Sequence, residues 1–385
     1  MASLTKFEFQ TVADIRFGAG CLAELPALIV SKFGAKKVLL VTDQGLRRAG
    51  IIDPLLHSLQ ATKLEVEVFD QVLADPPESV ILAAADKAKG VDLIIGMGGG
   101  SSMDTAKLAA IVCMDQQALQ TMYGVNMVTS TRKPLIQIPT TAGTGSEVTP
   151  ISVVTTGEST KAGVVSPVLY ADMAILDPTL LLALPAHITA ETGIDAMVHA
   201  IEAYTSKIKK NPISDYLAIK ALILLAEHLP GAYEEGASLE HRGGSMLGAM
   251  LAGQAFANAP VAGVHALAYP LGGLYHLAHG LTNALMLPHV LHFNLDAAVE
   301  SYAELAEILV PACSGDTRSK AMLFIEFMTT LCQKLGLNKP LREMGIPQSG
   351  LSELAEQAML QTRLLQNNPK DIELADALAI YQRAW

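Results

Sequence analysis

From Gly243 to Leu295 the chain carries no Asp, Glu, Lys or Arg, yet this stretch holds His265, His276, His279, His289 and His292, five of its ten histidines. Gly, Asn, His and Pro interrupt every apolar run there before it reaches the roughly 20 residues that a membrane span requires. The segment is therefore expected to be deep core arranged around a site. Elsewhere the composition agrees. Half the residues are apolar and 17% are charged, which excludes disorder as the main state.

At 385 residues the chain is too long for one ordinary core, and two or three domains are expected. A net charge of −11 argues against nucleic-acid or anionic-membrane partners, both of which select a positive face. With 5% aromatic residues there is no base-stacking platform. Cys21, Cys113, Cys313 and Cys332 are scattered, with neither zinc-finger nor CxxC spacing, and read as buried small hydrophobes in a reducing compartment. Residues 1–10 are polar and charged with no hydrophobic signal region, so a cytoplasmic protein is expected.

The first half alternates. Lys37–Thr42, Leu64–Asp70, Val91–Met97 and Pro134–Ile138 read as short buried strands, with helices over Gly50–Ala61, Glu78–Lys89 and Ser102–Met114. Such spacing predicts βαβ units and a mostly parallel sheet. From about Leu180 strand signals stop, and Ala190–Ser206, Pro212–Gly231, Gly243–Ala257 and Ser319–Leu335 have helical length and periodicity. The expected architecture is an α/β nucleotide-binding domain over residues 1–180 and an all-helical domain over 181–385, with a ligand cleft between them.

Two loops in the first half suit an anion. Gly96–Lys107 (GMGGGSSMDTAK) follows a strand and opens a helix, so glycine N–H groups and the helix N-terminus can cradle a pyrophosphate, with Ser101 or Ser102 as cap and Asp104 in the first turn. It is not the usual G-x-G-x-x-G fingerprint, because the glycines follow a later strand. Asp43, at the end of KVLLVT, either accepts a ribose 2′-hydroxyl or is a turn aspartate. Pro139–Thr149 (PTTAGTGSEVT) again follows a strand and either lines the same ligand or is a plain turn.

In the second half, Asp195 and His199 lie four apart, on one face of a helix whose neighbours Ile194, Met197, Val198 and Ile201 are apolar. A buried carboxylate needs a partner, and a cation is one. Pro270, Gly272 and Gly273 are expected to separate His265 and His279 onto two elements that converge. Carboxylate and imidazole donors suit iron or zinc. His276, His289 and His292 remain core or supporting residues.

Five segments, GGGSSMD (Gly98–Asp104), PTTAGTGSEVT (Pro139–Thr149), DPTLLLALP (Asp177–Pro185), TGIDAMVHAIEAY (Thr192–Tyr204) and HALAYPLGGLYHLAHGLTNALMLPH (His265–His289), resemble in order and spacing the iron-dependent (group III) alcohol dehydrogenases. The resemblance implies Asp195, His199, His265 and His279 as ligands of Fe2+, with Zn2+ as the alternative. It implies Gly99, Gly100, Ser101 and Asp104 on the pyrophosphate of NAD, with Thr140, Thr141, Thr144 and Lys161 completing the pocket. The implied activity is interconversion of a small, mostly apolar alcohol and its aldehyde or ketone by a homodimer, with Ile151 and Phe256 lining the substrate pocket. Alternatives in the same superfamily are a glycerol-dehydrogenase-like or maleylacetate-reductase-like oxidoreductase, or a dehydroquinate-synthase-like lyase. In one place the chain departs from the family. Many members carry a second histidine four residues after the third ligand, as a relay for the alcohol proton, and here that position is Tyr269. A phenol, with a pKa of about 10, is a poorer relay but still donates and accepts.

Overall fold

The computed structural model describes residues 6–157 and 160–385. They divide into two compact units. Gln10–Leu184 form one, and Pro185–Trp385 with residues 6–9 form the other.

The first unit is built on a six-stranded parallel sheet. Its strands are β1 (Ile15–Phe17), β2 (Lys37–Asp43), β3 (Glu65–Val72), β4 (Leu93–Gly98), β6 (Leu135–Pro139) and β9 (Met173–Leu176), in the order β1-β9-β6-β4-β2-β3. Every residue of β4, β6 and β9 is buried. Continuous Val/Ile/Leu runs are what a parallel sheet covered on both faces requires. Helices α1 (Asp53–Ala61), α2 (Glu78–Ala88) and α3 (Gly100–Val112) supply the crossovers. Leu55 and Leu59 of α1 join Val38, Leu40, Leu93, Ile95, Ile136 and Ile175 in one core cluster. A smaller sheet of β5 (Gly124–Val125), β7 (Ile151–Thr156) and β8 (Thr160–Val165) was not anticipated from the sequence. Its β7–β8 hairpin packs Val154 and Val164 against Leu108 and Ile111 of α3.

The second unit is helical. It contains α4 (Ala186–Thr205), α5 (Pro212–Glu234), α6 (Leu239–Asn258), α7 (Gly263–Tyr275), α8 (His279–Leu309), α9 (Thr317–Lys334), α10 (Leu351–Met359) and α11 (Leu374–Ala384). From Gly193 to Thr205, α4 is buried on every side, Asp195 and Glu202 included. The uncharged stretch becomes most of α6, all of α7 and the start of α8. Among the described residues no single helix is long and apolar enough to cross a membrane, and α6 and α7 meet at a bend of 105°.

Two local expectations need correction. The helix after the glycine loop is capped by neither serine. Gly99 is its N-cap, with no side-chain bond, and Gly100 its first residue. Pro270 does not separate the two histidines either, because α7 runs through it. The break comes at His276, whose φ of +55° and N–H bond to the Gly272 carbonyl (3.0 Å) close the helix before α8 begins at His279.

Candidate active site

In the helical unit, three helices bring donor atoms together. Asp195 projects from the middle of α4, and its Oδ1 lies 3.7 Å from His265 Nε2, 3.5 Å from His279 Nε2 and 3.9 Å from His199 Nε2. Donors held 2.0–2.2 Å from a tetrahedral ion would stand about 3.4 Å apart, so the set fits a divalent cation. The chemistry of the set, three imidazoles around one carboxylate, suits iron or zinc. His199 stacks on His265 at 4.7 Å and on Phe256 at 4.2 Å between ring centroids, so Phe256 of α6 forms an apolar wall beside the donors. His279 is the most accessible donor, its side chain 40% accessible against 2% for Asp195 and His265. Tyr269 stands beside it, with its ring centroid 5.7 Å from His279 and 6.3 Å from His265. His276 and His292 are exposed, and burial lowers His289 to about 4. None of these three belongs to the donor group.

Charge explains why the donors face inward. Burial alone would raise Asp195, but the surrounding imidazoles, His199 and His279 foremost, hold it far below the usual carboxylate range. Burial opposes charge on His265, yet the carboxylates of Glu202 and Asp195 outweigh it and raise the imidazole to about 9. The centre demands positive charge, and among the described residues no Lys or Arg is paired with either carboxylate.

Two residues here were missed by reading the sequence. Glu202, 4% exposed, accepts from His265 Nδ1 at 2.7 Å. Asn283, fully buried one turn after His279, places its amide nitrogen 2.6 Å from Asp195 Oδ1 and 3.2 and 3.3 Å from the Nε2 atoms of His265 and His279. The available signal was spacing: Glu202 is seven after Asp195, and Asn283 four after His279, so both share a helix face with a candidate donor. His279 reaches Asp195 because α4 and α8 touch at Gly280, where a Cβ would lie 2.3 Å from the Glu191 carbonyl oxygen.

In the α/β unit, the two motif loops meet. A Cβ on Gly100 would fall 3.0 Å from Thr144 Cγ2, so the glycine loop rests directly on the Pro139–Thr149 segment. Thr140 N–H donates to the Gly98 carbonyl at 3.0 Å. Thr141 Oγ1 is buried there without a hydrogen-bond partner, as a hydroxyl awaiting a ligand would be. Asp43 caps the short helix Gln44–Arg48, its Oδ1 accepting from Gly45 N (2.7 Å) and Leu46 N (3.0 Å). Asp104 accepts from Ser146 Oγ at 2.6 Å and from Val153 N at 2.8 Å. Lys161 pairs with Asp75 at 2.6 Å and donates to Thr155 at 3.1 Å, within the β7–β8 hairpin region. Ile151 begins β7, and its carbonyl accepts from Lys107 Nζ at 2.6 Å. Lys107 is fully buried and also donates to Ser146 Oγ (2.8 Å) and Thr149 Oγ1 (3.3 Å). Its ammonium stitches the second loop to α3.

Known proteins share both units. Residues 13–178 match the iron-containing alcohol dehydrogenase family, and residues 189–385 match the C-terminal part of the Fe-containing alcohol dehydrogenase family. Long-chain-alcohol dehydrogenase 1 of Geobacillus thermodenitrificans (strain NG80-2) is 38% identical over 393 residues, covering 100% of this chain and 97% of that one. The crystal structure of a 1,3-propanediol oxidoreductase superposes with a TM-score of 0.94 at 35% identity, covering 99% of this chain and 100% of that one. Sulfoacetaldehyde reductase from Bifidobacterium kashiwanohense, solved in complex with NAD+, gives a TM-score of 0.87 at 28% identity, covering 99% of each chain. The loop pair, the inward-facing donors and these matches along nearly the whole length agree: the chain belongs to the iron-containing, group III, alcohol dehydrogenases.

Proposed function

We propose that this enzyme uses a divalent metal and NAD(H) to interconvert a small, mostly apolar alcohol with its aldehyde or ketone. The observation that carries the reading is the convergence of Asp195, His265 and His279 donor atoms within 4.8 Å of one another, with His199 alongside. These four residues hold the cation, with iron as the family's metal and zinc as the alternative. When bound, the cation supplies Lewis acidity toward the substrate oxygen, and nicotinamide supplies the carbon that exchanges hydride. The chain's own part is to position and to exclude. Phe256 and the uncharged helices keep bulk water from the donors, which strengthens every electrostatic contact inside. Partial exposure of His279 leaves one side through which an alcohol enters.

For the cofactor, Gly99, Gly100 and Ser101 offer N–H groups at the α3 N-terminus to a pyrophosphate, and Thr141 offers its buried hydroxyl. Thr140, Thr144 and Asp104 hold the two loops in register around that anion, and Lys161 and Ile151 belong to the adjoining hairpin. Asp43, at the carboxyl end of β2, favours NAD over NADP because a carboxylate accepts from a 2′-hydroxyl and repels a 2′-phosphate. NAD+ in the structure of the sulfoacetaldehyde reductase supports the cofactor assignment.

The test is anaerobic purification, chelation, and reloading with Fe2+ or Zn2+, followed by NAD reduction across a panel of alcohols. Metal-dependent turnover is expected, and none with any alcohol or aldehyde would refute the activity. His265→Ala should lose both metal and turnover. Full metal content in that variant would overturn the ligand set.

A further inference from the structure

Helix α7 begins without a cap of its own. Its N-cap is Ala262, which has no side-chain acceptor, so the first backbone N–H groups must find one elsewhere. They find Glu202, which reaches across from α4. Its Oε2 accepts from Ala262 N at 2.8 Å and Oε1 from Val264 N at 2.6 Å. The same Oε2 accepts from His265 Nδ1 at 2.7 Å. Three donors converge on one carboxylate that is almost wholly buried. Because Nδ1 is committed to Glu202, Nε2 is the nitrogen that His265 turns toward Asp195.

We propose that Glu202 is a positioning residue of the metal centre: by capping α7 and accepting from His265 Nδ1, it sets how tightly the divalent ion is held. This rests on the metal-centre reading above. Two properties follow from the geometry. The bond to Nδ1 fixes which imidazole nitrogen is presented, and the negative oxygen behind the ring makes Nε2 a stronger donor to a cation. Glu202 also supplies a second buried negative charge, so that with Asp195 a divalent ion leaves the centre neutral. Glu202→Gln keeps the size and one acceptor for the helix while removing the charge. A residue that only capped the helix would let that variant bind metal normally.

The measurement is Co2+ affinity by competition with a chelator, on metal-stripped protein, alongside melting of the stripped form. Outer partners of ligating histidines typically change metal affinity by 10–100-fold. Glu202→Gln should therefore raise the Co2+ dissociation constant by at least about tenfold, with the stripped form still folded. A constant within about twofold of the unaltered protein overturns the proposal. Should the unaltered protein itself bind no stoichiometric Co2+, the failure belongs to the metal-centre reading. If Glu202→Gln does not fold, the unaltered protein loaded with Zn2+ and labelled with 15N-histidine gives the answer. The His265 Nδ1 resonance must be that of a protonated nitrogen in a hydrogen bond, and an unprotonated Nδ1 refutes the proposal.

Discussion

Glu147 lies in the loop that Lys107 stitches to α3. It is 3% exposed, and burial raises its carboxyl to about 7 from an ordinary 4.5, with its own N–H and the Lys107 ammonium offsetting only part of the cost. The folded protein therefore holds this proton more tightly than the unfolded chain does. Below pH 4.5 both states are protonated and nothing is lost. Between 4.5 and about 7 the unfolded chain releases the proton first, and stability falls until the folded form is ionised too. At 1.36 kcal/mol per pH unit the loss approaches about 3 kcal/mol above pH 7. Glu147→Gln cannot ionise and should escape it. Any cost of burying the amide itself is independent of pH and cancels when the two proteins are compared at two pH values. The assay is thermal melting of both at pH 5 and pH 8.5. With roughly 2–4 °C per kcal/mol for a domain of this size, the variant should gain about 5 °C or more relative to the parent on going from the lower to the higher pH. Parallel melting temperatures across that range would show that Glu147 is ionised in the fold and would refute the reasoning.

Two further outcomes bear on the chemistry. Asp43→Asn keeps the acceptor for Gly45 and Leu46 but removes the charge, so kcat/KM with NADP relative to NAD should rise by about tenfold or more, since like charges at close range cost up to about 4 kcal/mol at an effective dielectric of 20; an unchanged ratio would remove Asp43 from cofactor choice. Tyr269→Phe tests whether the Tyr269 hydroxyl handles the alcohol proton: a loss of about 10²–10⁴-fold in kcat with metal content intact is the signature of general acid–base work, whereas a change of a few-fold leaves the ring, which lies beside His279, as packing alone.

The strands β2, β4 and β6 were legible because a parallel strand buried on both faces has to be a nearly unbroken run of Val, Ile and Leu. The hairpin of β7 and β8 was not, since Ser and two Thr in ISVVTT, and Thr, Lys and Gly in TKAGVV, break up the apolar run, and only Val154 and Val164 against α3 show what the strands cover. At the site, Asp195 and His199 declare themselves by helical spacing within an apolar face. His265 and His279 do so by standing in a segment without charge. Glu202 had only its seven-residue spacing from Asp195. A glutamate three residues beyond a histidine on a helix usually faces solvent, and only the uncapped start of α7, far along the chain, shows what it serves. Lys107 is hidden for the same reason: beside Asp104 it looks like a surface ion pair, and its enclosure depends on Ser146, Thr149 and Ile151, about 40 residues away.

Gly280 touches no donor atom, yet it governs how this sequence can drift. A methyl group there would press on the Glu191 carbonyl, and α4 and α8 would have to part by about an ångström to admit it. That movement would be spent on the 3.5 Å separation between Asp195 and His279, since each of these donors sits on one of the two helices that meet there. An inventory of tolerated substitutions would therefore rank Gly280 with the proposed metal ligands, although it has no chemistry to contribute. An alanine there becomes acceptable only in a lineage that has first reshaped α4 around Glu191. The order in which changes can accumulate near this centre is thus set by backbone contact as firmly as by catalysis.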